Sequence, residues 1–227
     1  MHLRRVPGIP FPVPEARIKG GILMAKAVIE CPHCKQECTR TPLTRISPDR
    51  DPSVRKKVQD LSLFRWKCPN CGTTMLVEDP CLYHDISGQF MVWLAPDGKK
   101  PETGKFDPLA GYTLRYVDDL NTFREKINIL ERGLDDRAVE LMKFILFLQL
   151  QHDLDVVELV FHDLDERTAE FRFAAVLSDG AEQYIAMPGL TYQRILQDVT
   201  ERLYTPRDFV KIDTEWAAEA LELLHAE

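Results

Sequence analysis

The amino-acid sequence predicts an α+β fold, and two features of the chain support that prediction. Two Cys-Pro-x-Cys steps, at 31–34 and 68–71, each stand between short strand-like segments. Beyond them the apolar residues change from the spacing of helices to the alternation of strands, and then back to that of helices. We therefore expect an antiparallel N-terminal part, a pair of helices, and a small three- to four-stranded antiparallel sheet with helices.

The N-terminal part has the outline of two turns on neighbouring β-hairpins with a helical insertion between them. Strands are predicted on either side of each cysteine pair, at 26–30, 39–46, 64–67 and 73–77. Between the pairs, Asp51 and Pro52 have the residue types of an N-cap and a first helical position. A short helix with Val54 and Val58 on its apolar face is expected to follow. This arrangement is typical of a zinc ribbon.

The middle of the chain predicts a further hairpin, a loop and two helices. The hairpin covers 81–94, and the residues 96–110, rich in Pro, Gly and Lys, predict a mobile surface loop. Thr122 and Glu125 have the spacing of a capping box at the start of the first helix. Asp135 is expected to cap the second helix.

The second of these helices is apolar on all sides at its centre, over 144–148. A helix of this kind is normally buried by its own chain, or part of it meets a partner chain. We expect a core helix and keep the partner contact as the alternative.

The last third of the chain predicts an antiparallel meander followed by helices. Three strands are expected at 156–161, 170–177 and 182–187, and Ser178-Asp179-Gly180 is a suitable hairpin turn. A helix is expected from Thr191, a last strand over 209–212, and a final helix capped by Thr214. We assign 24–150 to one domain and 151–227 to a C-terminal α+β subdomain.

The first 23 residues are rich in proline and basic residues and show no clear periodicity. We expect either a disordered basic tail or a true start of translation at Met24. The segment lacks the apolar core of a secretory signal, and no run approaches the roughly 18 apolar residues of a membrane helix. A reducing cytoplasm is therefore the expected location, where cysteines serve metal or redox chemistry more often than structural disulfides.

The four cysteines of the two steps are the candidate site: Cys31, Cys34, Cys68 and Cys71. Two pairs of thiolates, each pair separated by two residues, are the usual ligands of a structural Zn²⁺. Gly72 follows the second pair and tolerates the backbone angles of a tight turn. A site with four protein ligands has no open position for an activated water, so zinc hydrolysis at this site is not expected.

Thiol redox chemistry is the competing interpretation of the first pair. Cys-Pro-His-Cys also occurs in oxidising thioredoxin-fold proteins, in which a helix N-terminus lowers the pKa of the first cysteine. The residues after Cys34 form a poor helix, and a second pair is present, so the metal interpretation is favoured. Cys38 and Cys81 are spare cysteines, and they leave open a metal site that releases its ion when thiols are oxidised.

Several single residues have a structural and a functional interpretation, and in each case the structural one is favoured. The candidates are His33 as a substitute ligand, His84-Asp85 as an acid/base pair, His162-Asp163 at a turn, Asp135-Asp136-Arg137 as a cation or partner site, and Phe64 with Trp66 as a base-stacking pair. We expect His33 to be a solvent-facing turn residue and His84-Asp85 to form a hydrogen bond at the end of a hairpin. His162-Asp163 is expected in a turn, and Asp135-Asp136-Arg137 as a helix cap. Phe64 and Trp66 are expected to be core aromatics and not a base-stacking pair.

The motifs also resemble a known family. Besides the two cysteine pairs, the supporting segments are 63–72 (LFRWKCPNCG), 82–85 (LYHD), 91–94 (MVWL), 133–137 (GLDDR) and 140–143 (ELMK). Together they resemble the CpXC family of bacterial and archaeal proteins over about 29–150. The resemblance implies a zinc-binding domain defined by Cys31, Cys34, Cys68 and Cys71, and it implies no catalytic residue.

The distribution of charge along the chain bears on the choice between nucleic-acid binding and protein binding. Residues 1–79 carry 14 basic and 8 acidic side chains, a net +6, whereas the remainder has a net charge of −13. A basic N-terminal half supports binding of nucleic acid by the ribbon, and the acidic remainder restricts such contacts. We favour a non-catalytic, zinc-dependent interaction or scaffold module with a protein partner. The alternatives are a nucleic-acid-binding zinc ribbon and, third, a thiol redox protein.

Overall fold

The computed structural model describes residues 26–101, 111–204 and 207–226 and confirms the α+β fold. The predicted N-terminal tail, and residues 102–110 of the predicted loop, lie outside the described residues. The first elements are β1 (Ala27–Glu30), β2 (Glu37–Arg40), β3 (Arg45–Ile46), α1 (Ser53–Gln59), a 3₁₀ turn (Ser62–Phe64), β4 (Arg65–Lys67) and β5 (Thr74–Leu76). They are followed by β6 (Cys81–Asp85), β7 (Phe90–Leu94) and β8 (Thr113–Val117).

The two predicted hairpins are present as separate two-stranded antiparallel sheets. β1 pairs with β2, and β4 pairs with β5. The single strand predicted over 39–46 is wrong, because β2 and β3 belong to different sheets. Helix α1 begins at Ser53, one residue later than predicted, so the N-cap is Pro52 and the predicted cap at Asp51 is wrong. The Asp51 side chain still accepts a hydrogen bond from the Ser53 backbone N–H at 3.0 Å, just before the helix.

A four-stranded mixed sheet lies at the centre of the N-terminal part, in the order β3-β6-β7-β8. The hairpin β6–β7 is antiparallel as predicted, whereas β3–β6 and β7–β8 are parallel pairs, and β8 was not foreseen. One face of the sheet packs against α1 and the helix that follows β8. The core there is formed by apolar side chains, among them Val58, Tyr83, Phe90, Val92, Phe123 and Ile127.

Two long helices, α2 (Leu120–Glu131) and α3 (Asp136–Leu150), follow the sheet. The predicted capping box is wrong, because Asp119 caps α2 by accepting hydrogen bonds from the backbone N–H groups of Asn121 and Thr122. Glu125 instead points into the interior. Asp135 caps α3 as predicted, by accepting from the Arg137 backbone N–H. The chain turns between the helices at Gly133, whose φ of 70° favours glycine.

The C-terminal part is a three-stranded antiparallel meander with two helices. Its elements are β9 (Val156–Asp165), β10 (Glu170–Leu177), β11 (Glu182–Pro188), α4 (Gly189–Arg202) and α5 (Thr214–His225). The strand order is β11-β10-β9, as expected for a meander. Phe161, Phe171 and Phe173 pack from the sheet against Val139 and Met142 of α3, so the first half of α3 lies in the core. Within the apolar centre 144–148, for which burial was predicted, only Leu146 is buried and Leu148 is exposed.

Four details of this part differ from the prediction. His162 and Asp163 lie inside β9, which continues to Asp165, and therefore not in a turn. Helix α4 begins at Gly189 rather than at Thr191. No strand forms over 209–212, where the described residues make one isolated parallel bridge between Val210 and Arg115. Asp213 caps α5 by accepting from the Trp216 backbone N–H, so Thr214 is the first helical residue and not the cap.

None of the helices in the described ranges is both long enough and apolar enough to span a membrane. The predicted boundary near residue 150 stays a prediction, since α3 packs against β9 across it.

Candidate metal centre

The two Cys-Pro-x-Cys steps form turns with the same backbone hydrogen bonds. In the first turn, the Cys31 N–H donates to the Gln36 carbonyl at 3.0 Å, and in the second the Cys68 N–H donates to the Thr73 carbonyl at 2.8 Å. The residue after each second cysteine donates its N–H back to the carbonyl of the first cysteine. Since each turn caps one hairpin, the chain builds the same two-ligand unit twice.

The position after the second cysteine is left-handed in both turns. It is Lys35 in the first turn, with a φ of 60°, and Gly72 in the second, with a φ of 74°. Glycine adopts this conformation without steric cost, whereas other residues pay for the proximity of Cβ to the backbone. The prediction of a tight turn at Gly72 is therefore confirmed, and Lys35 adopts the same conformation without that advantage.

The two turns bring the four cysteine sulfurs together. The Sγ atoms of Cys31, Cys34, Cys68 and Cys71 all lie within 4.8 Å of one another. Each sulfur has a close neighbour from the other turn, Cys31 with Cys71 at 3.7 Å and Cys34 with Cys68 at 3.8 Å. Four sulfurs at the usual distance of about 2.3 Å from a tetrahedral zinc would lie about 3.8 Å apart. Within the described residues these side chains form a cluster that could hold one metal ion.

Neighbouring polar groups favour the thiolate form of two of the cysteines. The Asn70 side-chain amide donates to Cys34 Sγ at 3.4 Å and lowers the pKa of the Cys34 thiol. Thr73 Oγ1 lies 3.3 Å from Cys71 Sγ, and this hydrogen bond, together with the Thr73 backbone, lowers the pKa of Cys71 to about 5. Hydrogen bonds to sulfur are the usual second-layer contacts that orient metal ligands.

The cluster is covered on its apolar side and open at the turn tips. Cys31 and Cys68 are buried, Cys34 and Cys71 are half-buried, and Ile29 and Trp66 pack against the group. Cys31 and Cys68 therefore face the interior of the ribbon, and Cys34 and Cys71 face its rim.

A comparison with protein-family models matches residues 29–143 to the family described as CpXC protein. The chain belongs to the CpXC family. No curated protein and no solved structure matches this CpXC protein. The matched region contains both cysteine turns, the mixed sheet, α1, α2 and the first half of α3, so the cluster of four cysteines lies entirely inside the CpXC region. The sheet β9–β11 and helices α4 and α5 follow it.

The remaining cysteines of this CpXC protein are free thiols outside the cluster of four. Cys38 packs beside the cluster, and its Sγ lies 3.8 Å from the Gln36 carbonyl oxygen. Cys81 lies in the core of the mixed sheet, where burial raises the pKa of its thiol to about 12. The first cysteine turn continues through Lys35 into β2 and does not begin a helix, so the helix dipole of thioredoxin-fold oxidases is missing there.

Of the other candidate residues, His33 lies on the first cysteine turn and Trp66 packs against the cysteines, whereas the rest lie elsewhere in the fold. His33 is exposed on the turn, as expected. His84 is buried, and its Nδ1 lies 3.0 Å from an Arg45 guanidinium nitrogen, while Asp85 accepts from the Ser87 hydroxyl and from the Gly88 N–H. Burial, followed by the charge of Arg45, lowers the pKa of His84.

Sequence reasoning missed a buried charge network between α2, α3 and β8. It contains three basic and three acidic side chains: Arg115, Glu125, Lys126, Asp136, Glu140 and Lys143. The Asp136 carboxylate accepts hydrogen bonds from Arg115 Nε and Nη2, each at 2.8 Å, and Lys126 Nζ lies 3.1 Å from it. Burial raises the pKa of Asp136, but the charges of Arg115 and Lys126 outweigh it and hold that pKa well below its usual range.

The network also connects the CpXC region to the residues that follow it. Glu125 accepts a hydrogen bond from the Phe161 backbone N–H in β9, and Lys126 donates to the Ile212 carbonyl at 2.9 Å. The predicted cap function of Asp135-Asp136-Arg137 is therefore confirmed for Asp135, whereas Asp136 belongs to this network. A charged residue within the apolar stripe of α2, as at Lys126, is the sequence signal that could have revealed it.

Proposed function

We propose that the four clustered cysteines bind one Zn²⁺ as a closed structural site, and that the ribbon stabilised in this way serves as a non-catalytic interaction module. The observation that carries the first part is the pair of sulfur distances between the turns, 3.7 and 3.8 Å, which match the edges of a tetrahedral zinc–thiolate site. The free energy of metal binding would then contribute to folding, by roughly 10–16 kcal/mol in isolated zinc-finger peptides.

Metal analysis of the full chain, purified in reducing buffer without chelator, tests the zinc site. We expect one equivalent of zinc in the wild type and in Cys38→Ser, and a loss of stoichiometric zinc in Cys34→Ser. Cys38 is the matched control because it packs beside the same sulfurs without belonging to the cluster of four. Cobalt substitution should give the intense charge-transfer absorption of four thiolates in wild type and Cys38→Ser alike.

Two outcomes would contradict this assignment. Less than about half an equivalent of any metal in the wild type would show that the four cysteines do not form a metal site. Stoichiometric iron would keep the site but replace zinc, since a tetrahedral set of four sulfurs also suits iron.

The interaction part of the proposal is supported by the closed ligand set and by apolar side chains at the surface of the ribbon. Four protein ligands leave no coordination position for substrate or water. On the ribbon itself, Val28 of β1 is 45% exposed and Trp66 of β4 is half-buried. Tryptophan is enriched in protein–protein interfaces, where a partner buries the rest of its surface.

Affinity capture from the native cell compares wild type, Cys38→Ser and the double variant Cys68→Ser/Cys71→Ser. We expect the same proteins to be enriched by wild type and Cys38→Ser and lost with the double variant. Equal enrichment by all three would separate partner binding from the metal site and would contradict the proposed dependence on zinc.

Nucleic-acid binding remains a second candidate because of one local observation. Arg65 and Lys67 are exposed at alternate positions of β4 and therefore point to the same side of the second hairpin. Retention of DNA or RNA at low salt, and its loss in Arg65→Gln/Lys67→Gln, would support this candidate. Lys56→Gln/Lys57→Gln on α1 removes the same charge elsewhere and is the matched control. No retention by wild type at low salt would rule this function out.

A further inference from the structure

A cavity of about 550 Å³ opens beside the buried charge network, away from the cysteine cluster. It lies between the start of β8, the turn that joins α2 to α3, and the first turn of α3. Small-molecule sites in proteins usually occupy roughly 300–1,000 Å³. The cavity is therefore large enough for a small organic molecule.

The walls of the cavity are mixed, with apolar side chains beside slightly more polar surface. Phe90, Leu114, Leu130 and Leu134 line it together with the ring of Tyr112. Phe90 and Leu114 are themselves buried in the fold, so these surfaces are fixed by packing. Contact of these side chains with the aromatic or aliphatic body of a ligand would remove apolar surface from water, which is favourable.

Among the described residues that line the cavity, one positive charge has no ion-pair partner. The Arg115–Asp136 pair forms part of one wall, and Arg137 pairs with Asp135 at 2.6 Å. Arg207 also lines the cavity, is exposed, and makes no ion pair with any of the described residues. Because the other charges compensate one another, Arg207 gives the cavity a net positive charge.

The frame around these groups is rigid before any ligand binds. Asp136 is held by Lys126 as well as by Arg115, and the Asp135 backbone N–H donates to the Tyr192 hydroxyl at 2.8 Å. Sites in which polar groups are held by a second layer of contacts lose less free energy to ordering when a ligand binds.

We propose that this cavity is a binding site for a small organic anion, with an apolar body against Phe90, Leu114 and Leu134 and an anionic group at Arg207. The proposal is independent of the metal site, because none of the cavity residues contacts the four cysteines.

An NMR titration of the zinc-loaded full chain tests it with three probes. Benzoate has an apolar body and a carboxylate, benzamide has a similar body without charge, and inorganic phosphate has charge without the body. We expect benzoate to shift the backbone amide signals of 112–115 and 133–137 in a saturable way, and benzamide and phosphate to bind at least about fivefold more weakly.

The Arg207→Gln variant should weaken benzoate binding by about tenfold, since a charge-assisted hydrogen bond is lost. Arg167→Gln, on the exposed turn between β9 and β10, is the matched control and should bind as the wild type does. The spectrum of each free variant verifies its fold, and the comparison of benzoate with benzamide needs no variant.

Three results would overturn the proposal. These are no saturable shifts in the cavity amides with any probe, equal binding of benzoate and benzamide, and equal losses of benzoate affinity in Arg207→Gln and Arg167→Gln.

Discussion

Lys35 and Gly72 occupy the same place in the two cysteine turns, although their side chains differ completely. Both have a left-handed backbone, with φ values of 60° and 74°. A Cβ added at Gly72 would meet only the distant Lys67 side chain at 3.8 Å, so the cost of a substitution there comes from the backbone and not from crowding. Replacing Lys35 by glycine should therefore relieve the same backbone strain that replacing Gly72 by another residue would introduce.

We expect Lys35→Gly to stabilise the metal-loaded ribbon by about 1 kcal/mol and Gly72→Ala to destabilise it by a similar amount. The measurement is thermal unfolding of the zinc-loaded protein together with zinc affinity by chelator competition. Lys35→Ala is the control, because it removes the exposed pair with Glu30 while keeping the strained backbone. Equal effects of Lys35→Gly and Lys35→Ala would refute the backbone argument.

We expect Asp136 to be the residue of the buried network whose replacement destabilises the fold most, since its side chain is 1% exposed and faces two cations. Asp136→Asn should lower the free energy of unfolding by about 3–5 kcal/mol, because Arg115 and Lys126 would be left without their shared counter-charge. Urea denaturation measures this loss, and Asp153→Asn, at an exposed loop position, is expected to have little effect.

The same carboxylate gives the loss a defined pH dependence. The folded-state pKa of Asp136 is lowered, so its contribution to stability is fully present above its unfolded pKa of about 3.9 and disappears as the pH falls below that value. The difference between wild type and Asp136→Asn should stay constant from pH 7 to about pH 5 and shrink below about pH 4. A difference that shrinks already at neutral pH would point to another group.

At the scale of elements, Arg55 connects α1 to its neighbours. Its guanidinium pairs with Asp85 of β6 at 2.8 Å and with Glu131 of α2 at 2.7 Å, and Glu131 also accepts from the Tyr83 hydroxyl. The helical insertion is thus tied by one side chain to both the sheet and the helix that it packs against.

We predict that Arg55→Met lowers the free energy of unfolding by about 1–2 kcal/mol. The effect is smaller than for Asp136 because the Arg55 side chain is 37% exposed and its charge is partly screened by water. Lys56→Met, on the exposed face of the same helix, changes the same charge and should have almost no effect on urea denaturation. A larger loss for Lys56→Met than for Arg55→Met would be incompatible with this view of α1.

The elements that the sequence predicted well are those fixed by local signals. The cysteine turns, the hairpin β6–β7, the Asp135 cap and the meander β9–β11 each depend on neighbouring residues. Strand β8 was missed because its parallel partner β7 is separated from it by a long connection. Lys126 and Asp136 were missed because pattern reasoning places charged residues at the surface, whereas here they neutralise one another inside.

The described residues form three apolar cores that do not include the cysteine cluster. One lies between the mixed sheet, α1 and α2, the second between α3 and the sheet β9–β11, and the third between α3, α4 and α5. The cysteines form their own small group with Ile29 and Trp66. The metal is therefore expected to stabilise one end of the protein and not its entire fold.

Removal of the metal by a chelator should therefore unfold the ribbon alone. We expect hydrogen exchange to accelerate in 27–40 and 65–76, while the amides of β9–β11 and α3 keep their protection. The comparison is between metal-loaded protein and the same sample after chelation in reducing buffer, with reloading by zinc as the control for reversibility. Loss of protection throughout the chain would show that the metal controls the global fold.

The repeated turn has one more consequence, which concerns the chain between the two ligand pairs. The two cysteines of each turn are only three positions apart in the chain, so one pair can bind a metal ion by itself. When the second pair then binds the same ion, residues 35–67 are closed into a loop. The entropy of closing such a loop grows only with the logarithm of its length, and doubling it would cost about 0.6 kcal/mol. Loop entropy thus sets little limit on the distance along the chain between the pairs, and the limit comes instead from β3 and α1, which pack in the core between them.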